Sequence, residues 1–182
     1  MNRRPNRRAA GEDYPSKAVL HEHVRQMLML ERLCSRFHDV VLQLRSRQGQ
    51  RETFPLEDDH DLQYLLHALL ILDHEDIRPQ AWTPPYSGGS PRTDLLLRLE
   101  KIIVAARMAR AGFEVKDFIE QLPADIQHYM LHPDCRTLVC FVYDPEGRFE
   151  KARELENELS GDRDGLKVRV IIAPKNPQNA NA

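Results

Sequence analysis

Two apolar runs joined by a short turn decide the fold of this chain. The first run is LLL at residues 95–97, which ends the segment GGSPRTDLLL at residues 88–97. The second is KIIVAARM at residues 101–108. Short runs rich in Leu, Ile and Val that are bounded by turn residues are typical of buried strands. The sequence therefore predicts a hairpin with strands at about residues 93–99 and 101–108. A proline- and glycine-rich loop at residues 74–92 leads into it, with a short strand near Ile77.

Helices and strands alternate after this hairpin. The patterns predict a helix at 113–131, a buried strand at 137–143, an amphipathic helix at 149–159, a turn at 161–165 and a last strand at 166–172. Pro123 is expected to kink the first of these helices or to interrupt its start. A helix between strands that do not form a hairpin implies a crossover connection. We therefore expect an α/β (α+β) fold with a mixed central sheet flanked by helices.

A long helix is predicted ahead of this region, from Ser16 as N-cap to Arg47. Its apolar residues recur at alternating three- and four-residue steps, which places them in one stripe. They are Leu20, Val24, Met27, Leu30, Cys34, Phe37, Val41 and Leu44. The stripe fits a helix that binds a second copy or a partner, and it fits equally a helix packed on its own domain.

A second helix is predicted at residues 56–73. Its three histidines, His60, His67 and His74, lie seven residues apart, hence roughly 10 Å between neighbours, which is too far to share one metal ion. We interpret them as packing or surface residues. The acids at its start, which are Glu57, Asp58, Asp59 and Asp61, favour the positive end of the helix, and one of them is an alternative metal ligand.

Composition restricts the classes of protein. The 182 residues, with 41% hydrophobic and 30% charged residues, fit a globular chain with one compact domain and a helical extension. We expect a disordered basic tail at 1–15, the long helix at 16–48, the domain at 55–175 and a disordered tail at 176–182. The arginines of the first tail, Arg3, Arg4, Arg7 and Arg8, either contact phosphate or act only as a solubilising tail.

Charge and cysteine content bear on partners and location. The net charge of −2 means that nucleic-acid binding must use a local basic patch. No apolar run approaches the length of a membrane span, and no secretory signal follows the basic start. Cys34, Cys135 and Cys140 form no CxxC pair, so we expect a reduced, cytoplasmic protein without membrane contact.

The hairpin carries the candidate chemistry. Asp94 opens the first strand, and alternation places Ala105 and Arg107 on one face of the second. Carboxylates on adjacent strands can hold Mg²⁺, which lowers the pKa of a bound water. Asp94 can supply one ligand, but Ala105 supplies none, and Arg107 cannot act as a base because it stays protonated. The candidates to replace the missing acid are Glu100, Glu114, Glu120 and the acids of residues 57–61. Of these we single out Glu120 as a second metal ligand.

Other constellations are weaker. His128 and His132 lie four residues apart with Cys135 beyond, which suits zinc, but no fourth ligand is evident and we favour structural histidines. Trp82 and Tyr86 on the glycine-rich loop either stack on bases or, more often, attach a loop to the core.

Four segments resemble the PD-(D/E)XK restriction-endonuclease-like family, in particular the bacterial domain related to DpnII and MboI. They are WTPPYSGGSPRTD at 82–94, EKIIV at 100–104, HPDCRTLVCFVYDP at 132–145 and GLKVRVIIAPK at 165–175. The resemblance, over roughly residues 57–175, implies a Mg²⁺-dependent endonuclease with Asp94 as metal ligand. The family's acid-x-Lys motif reads Ala105-Ala106-Arg107 here, so this chain departs from it at both catalytic positions.

The sequence supports two hypotheses. The first is a nuclease-like protein of DNA processing or phage defence with impaired or lost hydrolysis, in which Arg92, Arg107 and Arg110 contact the DNA backbone. The second is a non-enzymatic interaction module that assembles with itself or a partner through the helix at residues 16–47.

Overall fold

The computed structural model describes residues 17–46, 49, 51–79 and 94–175. The expected tails, the Ser16 cap and the loop with Trp82, Tyr86 and Arg92 lie outside these residues. In chain order the elements are α1 (Lys17–Arg45), α2 (Asp59–Leu70), β1 (Ile77–Pro79), β2 (Asp94–Leu97), β3 (Ile102–Met108), α3 (Val115–Met130), β4 (Thr137–Tyr143), α4 (Ala152–Leu159), β5 (Gly161–Arg163) and β6 (Leu166–Ala173).

The described strands form one mixed sheet in the order β1-β2-β3-β4-β6-β5. β1, β2 and β3 pair antiparallel, β4 lies parallel to both β3 and β6, and β5 returns antiparallel along β6. The predicted mixed sheet flanked by helices is confirmed, as are the hairpin of β2 and β3 and the strand near Ile77.

Helices cover both faces of this sheet. One hydrophobic cluster joins α1 and α2 to side chains such as Val104, Phe141 and Ile171, and the other joins α3 and α4 to side chains such as Ile103, Ala105 and Val142. Successive residues of β3 alternate between the two clusters, as the two-residue period of a strand requires. The first strand of the hairpin is buried along its whole length, so its starting residue lies inside the protein.

The second half of α1 packs on the sheet. Leu30, Cys34, Phe37 and Val41 are buried there, and the Phe37 ring meets Phe141 and Tyr143 edge-on at centroid distances of 5.4 and 5.2 Å. Nearer the start of α1, Met27 still packs against the core, while Val19, Leu20, Val24 and Leu28 stay exposed. Packing on the protein's own domain thus accounts for the later part of the stripe, and binding to a second copy or a partner stays a prediction.

The predicted turn at residues 161–165 is wrong in part, because Gly161–Arg163 forms the short strand β5. Its residues are all exposed and carry no apolar side chain, so they give no hydrophobic signal of a strand. Asp164 and Gly165 alone make the turn, with φ values of 52° and 90°. An Asp-Gly pair with two positive φ angles is the preferred two-residue hairpin loop.

The expected interruption at Pro123 is also not observed, because α3 runs through this residue. A proline in a helix leaves the carbonyl four residues earlier without its usual donor. That carbonyl belongs to Ile119, and both Ile119 and Pro123 are exposed, so water can replace the missing donor.

A buried hydrogen bond attaches α1 to the sheet. The His38 Nδ1 and the Tyr143 hydroxyl are 2.8 Å apart. Burial lowers the pKa of His38; the negative charge of Asp39 opposes this shift and the positive charge of Arg45 reinforces it. Burial raises the pKa of Tyr143 to about 12. Both shifts favour neutral side chains at this contact.

The His38 shift predicts a loss of stability in mild acid. Its folded-state pKa lies below the unfolded value of about 6.5, so the unfolded chain takes up the proton first. The contribution is therefore complete above about pH 6.5 and is lost as the pH falls through the folded-state pKa. Urea denaturation at pH 7.5 and 5.5 should show a drop that is smaller in His38→Gln. An equal drop in both proteins would contradict this role of His38.

Candidate active site at the start of strand β2

Asp94 begins β2 and stands directly opposite Ala105 of β3. Ala105 belongs to the cluster under α3, so Asp94 opens onto the same side of the sheet. Asp94 has no exposed surface, and Arg107, two residues beyond Ala105, has a side chain that is 16% exposed. The structure thus brings Asp94 of β2 next to Ala105 and Arg107, the two residues that alternation places on one face of β3.

Both carboxylate oxygens of Asp94 accept hydrogen bonds. The Arg107 guanidinium donates to Oδ1 at 3.2 Å, and the Tyr129 hydroxyl of α3 donates to Oδ2. From the other side of the sheet, the Gln63 amide of α2 donates to the backbone carbonyl of Asp94 at 3.3 Å. A buried carboxylate is stable only when it is paired and hydrogen-bonded, and these contacts meet that requirement.

Arg107 connects this carboxylate to a second one. Its guanidinium also donates to the Ala106 carbonyl at 2.8 Å and lies 4.0 Å from Asp125 Oδ2. Asp125 and Tyr129 are one turn apart on α3, so both face the hairpin. Arg107 therefore supplies the positive charge between Asp94 and Asp125. We call the four residues Asp94, Arg107, Asp125 and Tyr129 the Asp94 cluster.

The residues of the Asp94 cluster do not fit Mg²⁺. This ion requires near-octahedral oxygen ligands at about 2.0–2.1 Å. Asp94 instead accepts from two donors, Ala105 has no ligand atom, and a guanidinium stands beside the carboxylate. Across residues 17–46, 49, 51–79 and 94–175, no group of three or more His, Cys, Asp and Glu side chains is arranged to hold a metal ion.

The acids of α2 serve backbone groups and one arginine. Asp58 caps the helix by accepting from the amides of His60 and Asp61, and these bonds hold its pKa below the usual range. Asp59 reaches the end of β3, where Oδ1 accepts from the Met108 amide at 2.7 Å and Oδ2 lies 3.4 Å from Arg110. Asp58 thus has the capping role expected from the sequence, whereas Asp59 connects α2 to β3.

The other substitute acids have partners of their own. Glu100 meets the buried His74 at 2.9 Å, and Glu114 lies 3.6 Å from Arg148. Glu120 is largely exposed and lies 3.6 Å from Lys116 on the same helix. On α3 it is Asp125, rather than Glu120, that the structure brings to Arg107.

Three residues of the site escape sequence reasoning: Asp125, Tyr129 and Gln63. A signal was available, because an Asp and a Tyr four residues apart place polar atoms on the buried side of α3. Gln63, which is buried among the leucines of α2, carries the same kind of signal.

The remaining metal interpretations find little support among the described residues. His132 accepts from the Asp134 amide at 3.2 Å, and the His128 ring packs on Tyr129 with centroids 4.8 Å apart. Of the three evenly spaced histidines, His74 is buried and meets Glu100, while His60 is exposed. Arg92 lies outside the described residues. Arg110 is half-exposed and lies beside Asp59.

Comparison with known proteins gives one match. The family model described as the DpnII-MboI restriction endonuclease (REase_DpnII-MboI) matches residues 28–175. No curated protein and no solved structure matches the chain. In the part of the chain that the structure describes, no helix is both long and apolar enough to cross a membrane.

Removing Arg107 should destabilise the fold strongly. Breaking a buried ion pair by losing one partner costs about 3–5 kcal/mol, because the other charge stays buried. We expect this loss for Arg107→Met and at most about 1 kcal/mol for Arg110→Met, whose pair with Asp59 is partly exposed. Asp94→Asn in the Arg107→Met background should restore part of the loss. Urea denaturation measures all four proteins, and equal effects of the two single Arg substitutions would refute this assignment.

Proposed function

Because the chain belongs to the DpnII-MboI restriction endonuclease family, we propose that it is a nuclease-like DNA-binding protein whose hydrolytic centre has been replaced by a buried ion pair. The family supports a nuclease-like role in DNA processing. The loss of hydrolysis, a role in phage defence and a cytoplasmic location are our proposals.

One observation carries the loss of hydrolysis: Asp94 is fully buried, accepts from Arg107 and Tyr129, and faces Ala105 instead of a second acid. Restriction endonucleases generally use Mg²⁺, which supplies a bound water of lowered pKa and stabilises negative charge on the phosphate. A metal ion that takes one Asp94 oxygen as ligand competes with the donor that this oxygen already has. A hydrogen bond to a charged group contributes about 1.5–3 kcal/mol, so displacing one donor costs about that much.

The Asp94 cluster disfavours a metal ion and also lacks a general base. At 1.4 kcal/mol for each factor of ten, the loss of one donor lowers metal affinity by roughly one to two orders of magnitude. Arg107 adds electrostatic repulsion, and its guanidinium cannot take a proton from water. Tyr129 is engaged as the donor to Asp94. What the Asp94 cluster retains is a structural function, since it joins β2, β3 and α3.

Plasmid cleavage in Mg²⁺ and in Mn²⁺ tests this proposal. The unaltered chain should leave the plasmid intact, while Ala105→Glu/Arg107→Lys should cleave it, because the second acid and the lysine are restored and the guanidinium is gone. Adding Asp94→Ala to the double variant should abolish the gain. Salt-dependent binding of duplex DNA by the unaltered chain, measured by fluorescence anisotropy, is expected in parallel.

Cleavage by the unaltered chain that is lost in Asp94→Ala would show that another acid completes the centre. That result would overturn the proposed loss of hydrolysis. It would leave the proposed DNA binding standing.

A second candidate function is assembly through the first half of α1. The observation in its favour is the exposed apolar group Val19, Leu20, Val24 and Leu28, with exposures of 47–61%. Leu30 and Phe37 are unsuitable probes of assembly because they are buried in the protein's own core. If the chain ignores DNA and sediments as a dimer that Leu20→Asp/Leu28→Asp separates, this second function would replace the first.

A further inference from the structure

Three basic residues lie next to one another where β3, β4 and β6 begin, at the end of these strands that is away from the Asp94 cluster. They are Lys101, Arg136 and Lys167, here called the far-edge row. The Arg136 amide donates to the Lys101 carbonyl at 2.8 Å, and the Lys167 amide donates to the Arg136 carbonyl at 3.1 Å. Lys101 and Arg136 immediately precede β3 and β4, and Lys167 is the second residue of β6, opposite Thr137. Adjacent strands are about 4.8 Å apart, so the row spans roughly 10 Å across this end of the sheet.

The charges of the far-edge row are not neutralised by nearby carboxylates. All three residues are exposed, and among the described residues no carboxylate oxygen lies within 4.0 Å of their side-chain nitrogens. Three nearby acids are engaged elsewhere. Glu100, next to Lys101 in sequence, lies 2.9 Å from His74. Asp134 lies 3.9 Å from Arg98, and Asp162, opposite Lys167, accepts from the Gly165 amide at 2.9 Å.

The basic residues near the Asp94 cluster differ in this respect. Arg107 lies between Asp94 and Asp125, and Arg110 lies beside Asp59. A cation that already has a carboxylate partner gains less from a phosphate, because it must first give up that partner. Of these two sets of cations, the far-edge row therefore offers the more available positive charge.

The far-edge row is a separate location on the protein. Lys101 precedes Ala105 by four residues along the chain, which at about 3.3 Å per strand residue places it roughly 13 Å from the position opposite Asp94. The whole chain carries a net charge of −2, so any attraction of polyanions has to come from local features of this kind.

We propose that the far-edge row binds the phosphate backbone of duplex DNA. This inference rests on the proposed DNA-binding function and assigns it a surface away from the Asp94 cluster. Duplex DNA presents closely and regularly spaced negative charge, which suits exposed, long cationic side chains that cross one end of the sheet. Contacts of this kind fix the position of the protein on the duplex without reading its sequence.

The test is the salt dependence of duplex binding, followed by fluorescence anisotropy on a labelled duplex of about 20–30 base pairs. The row variant is Lys101→Asn/Arg136→Gln/Lys167→Gln; asparagine tolerates the positive φ of 57° at position 101. The matched control, Lys116→Gln/Lys151→Gln/Arg153→Gln, removes the same charge from exposed positions elsewhere. Thermal melts establish that both variants are folded.

Each lost phosphate contact lowers the slope of log K against log salt by about 0.9. The far-edge row therefore predicts a slope smaller by about 2.7 in the row variant and unchanged in the control. An unchanged slope in the row variant, with the unaltered chain binding DNA, would overturn the row and leave the DNA-binding function standing. An unaltered chain that fails to bind the duplex at low salt would overturn both.

Discussion

A carboxylate without solvent contact needs positive charge or hydrogen-bond donors, and at Asp94 the chain supplies both from its own residues. Arg107 donates from β3 and Tyr129 from α3, so the pairing of the hairpin and the seating of the helix depend on one charge. Gln63 connects α2 to the same residue, because its amide donates to the backbone carbonyl of Asp94. Several elements thus meet at a position where the family's pattern has a metal ligand.

This arrangement connects stability to the proposed loss of hydrolysis. Arginine at position 107 brings a permanent charge and a planar set of donors, which pair well with a carboxylate but cannot accept a proton. Alanine at position 105 adds no further negative charge, so one guanidinium lies beside Asp94 and Asp125. The two departures from the family motif therefore work in the same direction: Ala105 supplies no ligand, and Arg107 places a permanent positive charge beside Asp94.

The sequence predicts most of the fold because the strands are buried on both faces. The runs at residues 101–108 and 137–143 consist mostly of apolar residues, and β3 and β4 lie within one residue of their predicted bounds. β5 escapes prediction because its three residues are exposed and polar, so only its pairing with β6 defines it. For the candidate site, alternation gives the shared face of Ala105 and Arg107. The contributions of Asp125, Tyr129 and Gln63 come from other elements and depend on how the helices dock, which periodicity does not specify.

Calorimetric titration of the folded protein with Mn²⁺ tests the central claim most directly, since it measures metal binding without requiring cleavage. The comparison is between the unaltered chain, Asp94→Asn and Ala105→Glu/Arg107→Lys. We expect no binding by the unaltered chain or by Asp94→Asn, and binding by the double variant. Binding of Mn²⁺ by the unaltered chain that disappears in Asp94→Asn would contradict it, because Asp94 would then be available to a metal despite Arg107 and Tyr129.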